Sequence, residues 1–180
     1  IKYLSQKYLF NNKVNLINAD ILDYEFKDYY QLIISNLPYN ISSQILVKLS
    51  TMSKQPDTLI LMFQKEFAQR LLDKKLNSIN SLIKCFYTIK LNFNVSKNCY
   101  RPIPKVDSSV LTFNKLKKKI INFNEINKFI IFKRNLFSHK RKSLKNTLKK
   151  YDLKYNFDLN LRVEDLKLND LVKIFKSISS

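Results

Sequence analysis

The chain has 180 residues, of which 45% are apolar, and carries a net charge of +19 from 33 Lys and Arg against 14 Asp and Glu. This composition supports one sizeable core with a small appended unit, and the charge favours a polyanionic partner, most often nucleic acid. No apolar run approaches the ~20 residues that span a bilayer, so we expect no membrane partner. The two cysteines fit neither a disulfide framework nor a metal-binding spacing, which excludes a zinc deaminase and predicts no metal.

The first two thirds of the chain show strands and helices in regular alternation. Such an order predicts an α/β fold with a parallel sheet covered by helices, and an antiparallel strand pair at the edge of the sheet. The predicted helices cover residues 2–11, 42–49, 64–72 and 81–87. The predicted strands cover residues 14–17, 30–35 and 57–63, followed by the antiparallel pair 89–96 and 107–114.

The last third of the chain changes in character and contains helical patterns only. We expect helices at residues 124–138, 139–150 and 169–177. The change predicts two domains, an α/β domain at 1–114 and a helical domain at 115–180.

Charge is concentrated in this helical part. Residues 115–150 carry 13 Lys and Arg against one acid, which is +12 of the net +19. On a continuous helix, one face would carry Arg134, Arg141, Lys145 and Lys149. An ordinary solvated face is the alternative, but a surface of one sign at this density favours binding to a phosphate backbone. The candidate RNA-binding residues are Lys133, Arg134, Lys140, Arg141, Lys142, Lys145 and Lys149.

A short loop, Asn-Leu-Pro-Tyr, directly follows the predicted strand 30–35, and ligands of open α/β sheets bind beyond the carboxyl ends of strands. The amine of adenine is a poor nucleophile because its lone pair is delocalised into the ring. The amide oxygen of Asn36 and the carbonyl of Pro38 can each accept one of its N–H groups, which frees the lone pair for attack on a methyl donor. Tyr39 offers a stacking surface for a base taken out of its helix. A purely structural role is the alternative for Tyr39 and for two residues discussed below. Tyr39 and Tyr100 would then be half-buried core residues, and Asp20 would cap a turn.

The chain contains no glycine and begins at Ile1. Nucleotide-binding α/β domains use glycine where the backbone approaches the ligand. We therefore expect that an N-terminal part of a longer protein is not in this chain.

Several sequence blocks together resemble the ribosomal RNA small-subunit adenine N6,N6-dimethyltransferase family, and the resemblance runs from end to end. The blocks are NADIL (18–22), NLPYNISS (36–43), LMFQKEFAQRL (61–71), YRPIPKVDSSV (100–110), FSHKRKSLKNTL (137–148) and RVEDL (162–166). One such motif is weak evidence, but several in the family's order are specific. The resemblance implies a Rossmann-like methyltransferase sheet followed by a small all-α domain.

The implied activity is dimethylation of two adjacent adenosines in a hairpin near the 3′ end of small-subunit ribosomal RNA, by base flipping and direct methyl transfer from S-adenosyl-L-methionine. The partner would be the pre-ribosomal small subunit, which the protein would meet as a monomer during ribosome biogenesis, in the cytoplasm or, in a eukaryote, in the nucleolus or an organelle. By resemblance, Asp20 contacts the adenine of the cofactor, with Ala19 and Ile21 beside it. The catalytic residues would be Asn36, Leu37, Pro38, Tyr39 and Tyr100, of which Asn36 also contacts the cofactor.

The chain departs from the family pattern at a few positions. The glycine-rich loop and the acidic residue that binds the cofactor ribose would lie upstream of Ile1, and Ser35 and Gln44 replace a common glycine and proline. Two other functions stay open: an antibiotic-resistance methyltransferase of large-subunit RNA, and a non-catalytic RNA-binding relative such as a mitochondrial transcription factor.

Overall fold

The computed structural model describes residues 2–139, 141–149, 151 and 158–178. Four strands form its sheet: β1 (Leu32–Asn36), β2 (Thr58–Gln64), β3 (Tyr87–Val95) and β4 (Ser108–Lys115). Seven α-helices fall within the described residues: α1 (Lys2–Lys7), α2 (Ser42–Thr51), α3 (Lys65–Leu72), α4 (Asn80–Ile83), α5 (Ile126–Phe137), α6 (Leu144–Leu148) and α7 (Leu168–Ile178).

The strands are arranged in the order β1-β2-β4-β3. β1 and β2 are parallel, whereas β4 is antiparallel to both β2 and β3. The predicted α/β class and the antiparallel pair at one side of the sheet are therefore confirmed. The register places Asn36 opposite Met62 and Gln64 opposite Ser108, so one end of the sheet collects several polar side chains.

The core lies on the two central strands and on the helices that cover them. Leu59, Leu61 and Phe63 of β2 alternate with less buried neighbours, as a half-covered strand requires. In the helical part, the ring of Phe175 contacts Phe129 and Phe132, at centroid distances of 5.1 and 5.5 Å. Buried residues on both sides of residue 114 form one hydrophobic cluster. The division into domains 1–114 and 115–180 stays a prediction.

The predicted strand at 14–17 is wrong. This segment has no regular structure and leaves Val14, Leu16 and Ile17 exposed. An alternating pattern makes a strand only where a neighbouring strand supplies hydrogen bonds, and no described strand pairs with it. The strand at 30–35 forms as β1, which pairs with β2 alone among the described strands and is therefore partly exposed. Its Leu32 and Ile34 are 47% and 68% exposed.

The predicted single helix at 139–150 is also wrong. α5 ends at Phe137, and Ser143 has extended backbone angles (φ −66°, ψ 156°) and forms an antiparallel bridge with Arg162. A new helix, α6, therefore begins at Leu144. Arg134 and Lys145 lie on two different helices and do not share one helical face. The helices predicted at 2–11 and 81–87 are shorter in the structure, as α1 and α4.

Candidate functional site

The Asn-Leu-Pro-Tyr loop connects the end of β1 to the start of α2. Asn36 is exposed at the end of the strand, whereas Leu37 is buried and anchors the loop in the core. The Ile41 N–H donates to the Pro38 carbonyl at 3.2 Å, and Ser42 Oγ donates to the Tyr39 carbonyl at 3.0 Å. The turn is thus closed by its own hydrogen bonds before the helix begins.

These bonds bear on the predicted acceptors. The Pro38 carbonyl, expected to receive an adenine N–H, already accepts the Ile41 N–H. Within the described residues, no backbone N–H donates to the Leu37 carbonyl. This carbonyl belongs to the residue that follows Asn36 in the same loop. The Leu37 carbonyl is therefore the less engaged acceptor of the two.

Two tyrosines from distant parts of the chain meet at one buried serine. Tyr39 Oη lies 2.6 Å from Ser108 Oγ, and Tyr100 Oη donates to the same oxygen at 3.4 Å and to Met62 Sδ at 3.1 Å. Ser108 is fully buried at the start of β4, and Met62 is the register partner of Asn36. The structure thus brings together Tyr39 and Tyr100, which were predicted separately, near the end of β1 that carries Asn36.

The sequence analysis missed Ser108 as a functional candidate. Ser108 lies on the face of β4 that also carries Val110 and Thr112, opposite the face of Leu111 and Phe113, so the alternation along the strand gives no signal that Ser108 is buried. A buried hydroxyl at such a position needs a hydrogen-bonding partner, which points to a specific contact rather than to packing.

The acidic loop around Asp20 forms a tight turn. Asp20 Oδ1 accepts the Leu22 N–H at 2.8 Å, so this oxygen caps the turn, as the structural alternative predicted. The other oxygen, Oδ2, has no hydrogen bond among the described residues. Lys48 Nζ donates to the Leu22 carbonyl, which ties this loop to α2, the helix that follows Asn36. Ala19 is exposed and Ile21 packs half-buried against the core.

A groove of about 340 Å³ opens beside Ser108, at the same end of the sheet. Lys65, Lys97 and Lys105 line it together with Asp107. Asp107 holds the groove in shape, because its Oδ1 accepts the Lys97 N–H at 3.0 Å and its carbonyl accepts the Lys65 N–H at 3.0 Å.

The predicted RNA-binding cations divide into two groups. Lys133 is 6% exposed, and its Nζ donates to the Ser78 carbonyl at 2.5 Å, so it is not available to a phosphate backbone. Burial lowers the pKa of Lys133 to about 8, with a smaller contribution from Arg134. Lys140 lies outside the described residues. The remaining cations are exposed and are called the basic surface below: Arg134, Arg141, Lys142, Lys145 and Lys149.

No group of three or more His, Cys, Asp or Glu in the described part of the chain is arranged to hold a metal ion. None of the helices in the same ranges is long and apolar enough to cross a bilayer.

The whole chain, residues 1–180, matches the family model described as ribosomal RNA adenine dimethylase. It is 38% identical to the ribosomal RNA small subunit methyltransferase A of Mycoplasma capricolum subsp. capricolum, covering 99% of this chain and 74% of that protein. It is also 38% identical to the protein of that name from Malacoplasma penetrans, over 84% of this chain and 56% of that protein.

Two solved structures have a similar fold. The crystal structure of a dimethyladenosine transferase from Plasmodium falciparum superposes with a TM-score of 0.79 at 25% identity, covering 97% of this chain and 76% of that one. The crystal structure of the 23S rRNA methyltransferase ErmE gives a TM-score of 0.73 at 16% identity, over 99% of this chain and 78% of that one, which indicates a shared fold only.

Proposed function

The chain belongs to the ribosomal RNA adenine dimethylase family, and from this membership we propose that it transfers methyl groups from S-adenosylmethionine to adenine N6 in small-subunit ribosomal RNA. The target we propose is two adjacent adenosines in a hairpin near the 3′ end of that RNA. The convergence of Tyr39 and Tyr100 on Ser108, near the strand end that carries Asn36, is the observation that supports this function most. The relatives named above favour the small subunit over the large-subunit and non-catalytic alternatives.

The protein acts on the adenine amine through hydrogen-bond acceptors. Asn36 Oδ1 accepts one N–H of the amine, and a backbone carbonyl of the same loop accepts the other. We assign this second acceptor to Leu37, because the Pro38 carbonyl is engaged by the Ile41 N–H. Both acceptors draw the nitrogen toward tetrahedral geometry, so its lone pair becomes available for attack.

Tyr39 and Tyr100 hold the adenine after it leaves its helix. A base that stacks on an aromatic ring gains about 1–3 kcal/mol, which offsets part of the cost of unstacking it from the RNA. The Tyr39 hydroxyl is bonded to the buried Ser108, and the Tyr100 hydroxyl to Ser108 and to the half-buried Met62. These bonds restrict the rotation of both rings, so the stacking surface is formed before the base arrives.

The residues around Asp20 suit the cofactor that the family implies. Asp20 is exposed, and its Oδ2 can accept an N–H of the adenine amine of S-adenosylmethionine while Oδ1 keeps the turn closed. Ala19 and Ile21 flank it, and Lys48 of α2, the helix that follows the Asn36 loop, donates to the Leu22 carbonyl of the same turn. When bound, S-adenosylmethionine supplies an electrophilic methyl group.

The helical part, 115–180, serves as the RNA-docking domain in this proposal, and 1–114 is the catalytic domain. The basic surface contacts phosphates, which position the RNA without reading its sequence. We further propose that the protein acts as a monomer in the cytoplasm, where it meets the pre-ribosomal small subunit.

The test is single-turnover methyl transfer to unmethylated small ribosomal subunits, with RNA affinity measured in parallel. Asn36→Ala should lower the rate by about 100-fold or more and leave affinity within about twofold, since affinity comes mainly from phosphate contacts. Asn40→Ala is the matched control, because Asn40 is an exposed asparagine of the same loop. Near-normal transfer by Asn36→Ala would remove the loop from the mechanism.

A further inference from the structure

A second cavity, of about 270 Å³, lies between α5 and α6 and is separate from the tyrosine site. Its apolar lining is buried and consists of Phe132, Leu136 and Leu148. Its other lining residues are mostly polar and exposed: Asn135, Ser138, His139, Lys142, Asn146, Thr147 and Tyr151. We call it the α5–α6 cavity.

The polar side of the α5–α6 cavity carries unused hydrogen-bonding groups. The side-chain amides of Asn135 and Asn146 make no hydrogen bond within the described ranges, and each offers one acceptor and two donors. Among the described residues, no carboxylate lines the cavity, whereas Lys142 adds a positive charge. The cavity therefore combines an apolar floor, two free amides and a cation.

We propose that the α5–α6 cavity binds one unpaired nucleotide that flanks the target hairpin. The base would lie on the apolar floor beside Tyr151, with its edge toward the amides of Asn135 and Asn146 and its phosphate toward Lys142. This inference rests on the proposed function, because it takes the RNA substrate as given. It adds base recognition to a docking domain that would otherwise contact phosphates only.

Three physical points favour a nucleotide over a phosphate group alone. A phosphate needs cations and N–H donors but gains nothing from an apolar floor, whereas a base gains free energy by covering one. Amide side chains read base edges through paired donors and acceptors. The volume lies just below the roughly 300–1,000 Å³ typical of pockets for drug-sized ligands, which suits one nucleotide and excludes a duplex.

The nucleotide in this cavity is distinct from the methylated adenine. The tyrosine site belongs to β2, β4 and the loop after β1, whereas the α5–α6 cavity belongs to the helical part. The basic surface shares Lys142 with the cavity, and its Arg141 and Lys145 are sequence neighbours of the cavity's lining residues. RNA bound along that surface would bring its flanking single strand to the cavity.

The experiment compares two RNAs: the target hairpin with five-nucleotide single-stranded extensions at both ends, and the same RNA with abasic residues in the extensions. The parent protein should bind the base-bearing RNA about tenfold more tightly. The double variant Asn135→Ala, Asn146→Ala should lose this preference and bind both RNAs with the affinity that the parent shows for the abasic one. Both residues are exposed and their amides have no hydrogen-bonding partner among the described residues, so the melting temperature of this variant should stay unchanged.

Asn127→Ala is the matched control, since Asn127 is an exposed asparagine of α5 that does not line the cavity. This variant should keep the tenfold preference. Equal binding of the two RNAs by the parent, or a preserved preference in the double variant, would overturn the inference. Methyl transfer by the parent is measured separately. Transfer by a parent that binds both RNAs equally refutes the cavity's role alone, whereas no transfer by the parent refutes the proposed function.

Discussion

Ser108→Ala tests whether the two tyrosines are oriented by one shared hydroxyl. The substitution removes the 2.6 Å bond to Tyr39 and the weaker 3.4 Å bond to Tyr100, which keeps its contact with Met62 Sδ. A net hydrogen bond contributes about 0.5–1.5 kcal/mol, and the half-buried Tyr39 hydroxyl is left without this partner. We expect the free energy of unfolding to fall by about 1–1.5 kcal/mol.

The loss of transition-state stabilisation should be about as large as this loss of stability. Stacking on the two rings contributes roughly 1–3 kcal/mol per base, and rings free to rotate keep only part of it. Losing about 1.4 kcal/mol of transition-state stabilisation lowers the rate about tenfold. Single-turnover methyl transfer, at a temperature where every variant is folded, is the assay.

Ser109→Ala is the matched control, because Ser109 is also buried and its Oγ donates to Asn94 Oδ1 at 2.7 Å. It should lose similar stability and keep the parent rate of methyl transfer. Tyr39→Phe keeps the ring and removes the same bond, so Tyr39→Phe combined with Ser108→Ala should cost less than the sum of the two single variants. Equal rates for the two serine variants would show that Ser108 is only a stabilising residue.

Three further predictions follow from the other parts of the site. Asp20→Ala should weaken S-adenosylmethionine binding by about 1.5–3 kcal/mol in calorimetry, since it removes a charged acceptor, while RNA affinity stays constant; unchanged cofactor affinity would assign Asp20 to the turn alone. Changing four cations of the basic surface to Gln should weaken the binding of target and non-target hairpins equally. The slope of log affinity against log salt concentration should become shallower by roughly 0.7–0.9 for each phosphate that the variant no longer neutralises. An unchanged slope would show that these cations are only solvated and do not contact phosphates. The four are Arg134, Arg141, Lys145 and Lys149. Burial lowers the pKa of Lys133 from 10.5 to about 8, so between pH 8 and pH 10.5 the unfolded chain keeps a proton on this amine that the folded protein has lost. The free energy of unfolding, measured in denaturant titrations relative to Lys133→Met, should therefore rise from pH 8 to pH 10.5. A difference that stays constant over this range would contradict the lowered pKa.

The sequence by itself determined the elements whose signals are local. β2, β4, α2, α3, α5 and α7 form close to the predicted positions, because each has its own periodicity and a nearby turn or cap. The motif blocks, read in their order along the chain, were enough to identify the family. The Asn-Leu-Pro-Tyr loop was predicted at the carboxyl end of a strand, and it lies there.

Other features depended on residues far apart in the chain, and only the tertiary structure decided them. Tyr39 and Ser108 are 69 positions apart, and Lys133 and Ser78 are 55 apart, so no local pattern shows that the first pair shares a hydrogen bond or that the second buries a lysine. The bridge from Ser143 to Arg162 divided one predicted helix into a turn and α6. Residues 14–17 have the alternation of a strand but no partner strand among the described residues. Periodicity specifies which face of an element is apolar, whereas pairing and burial depend on what packs against that face.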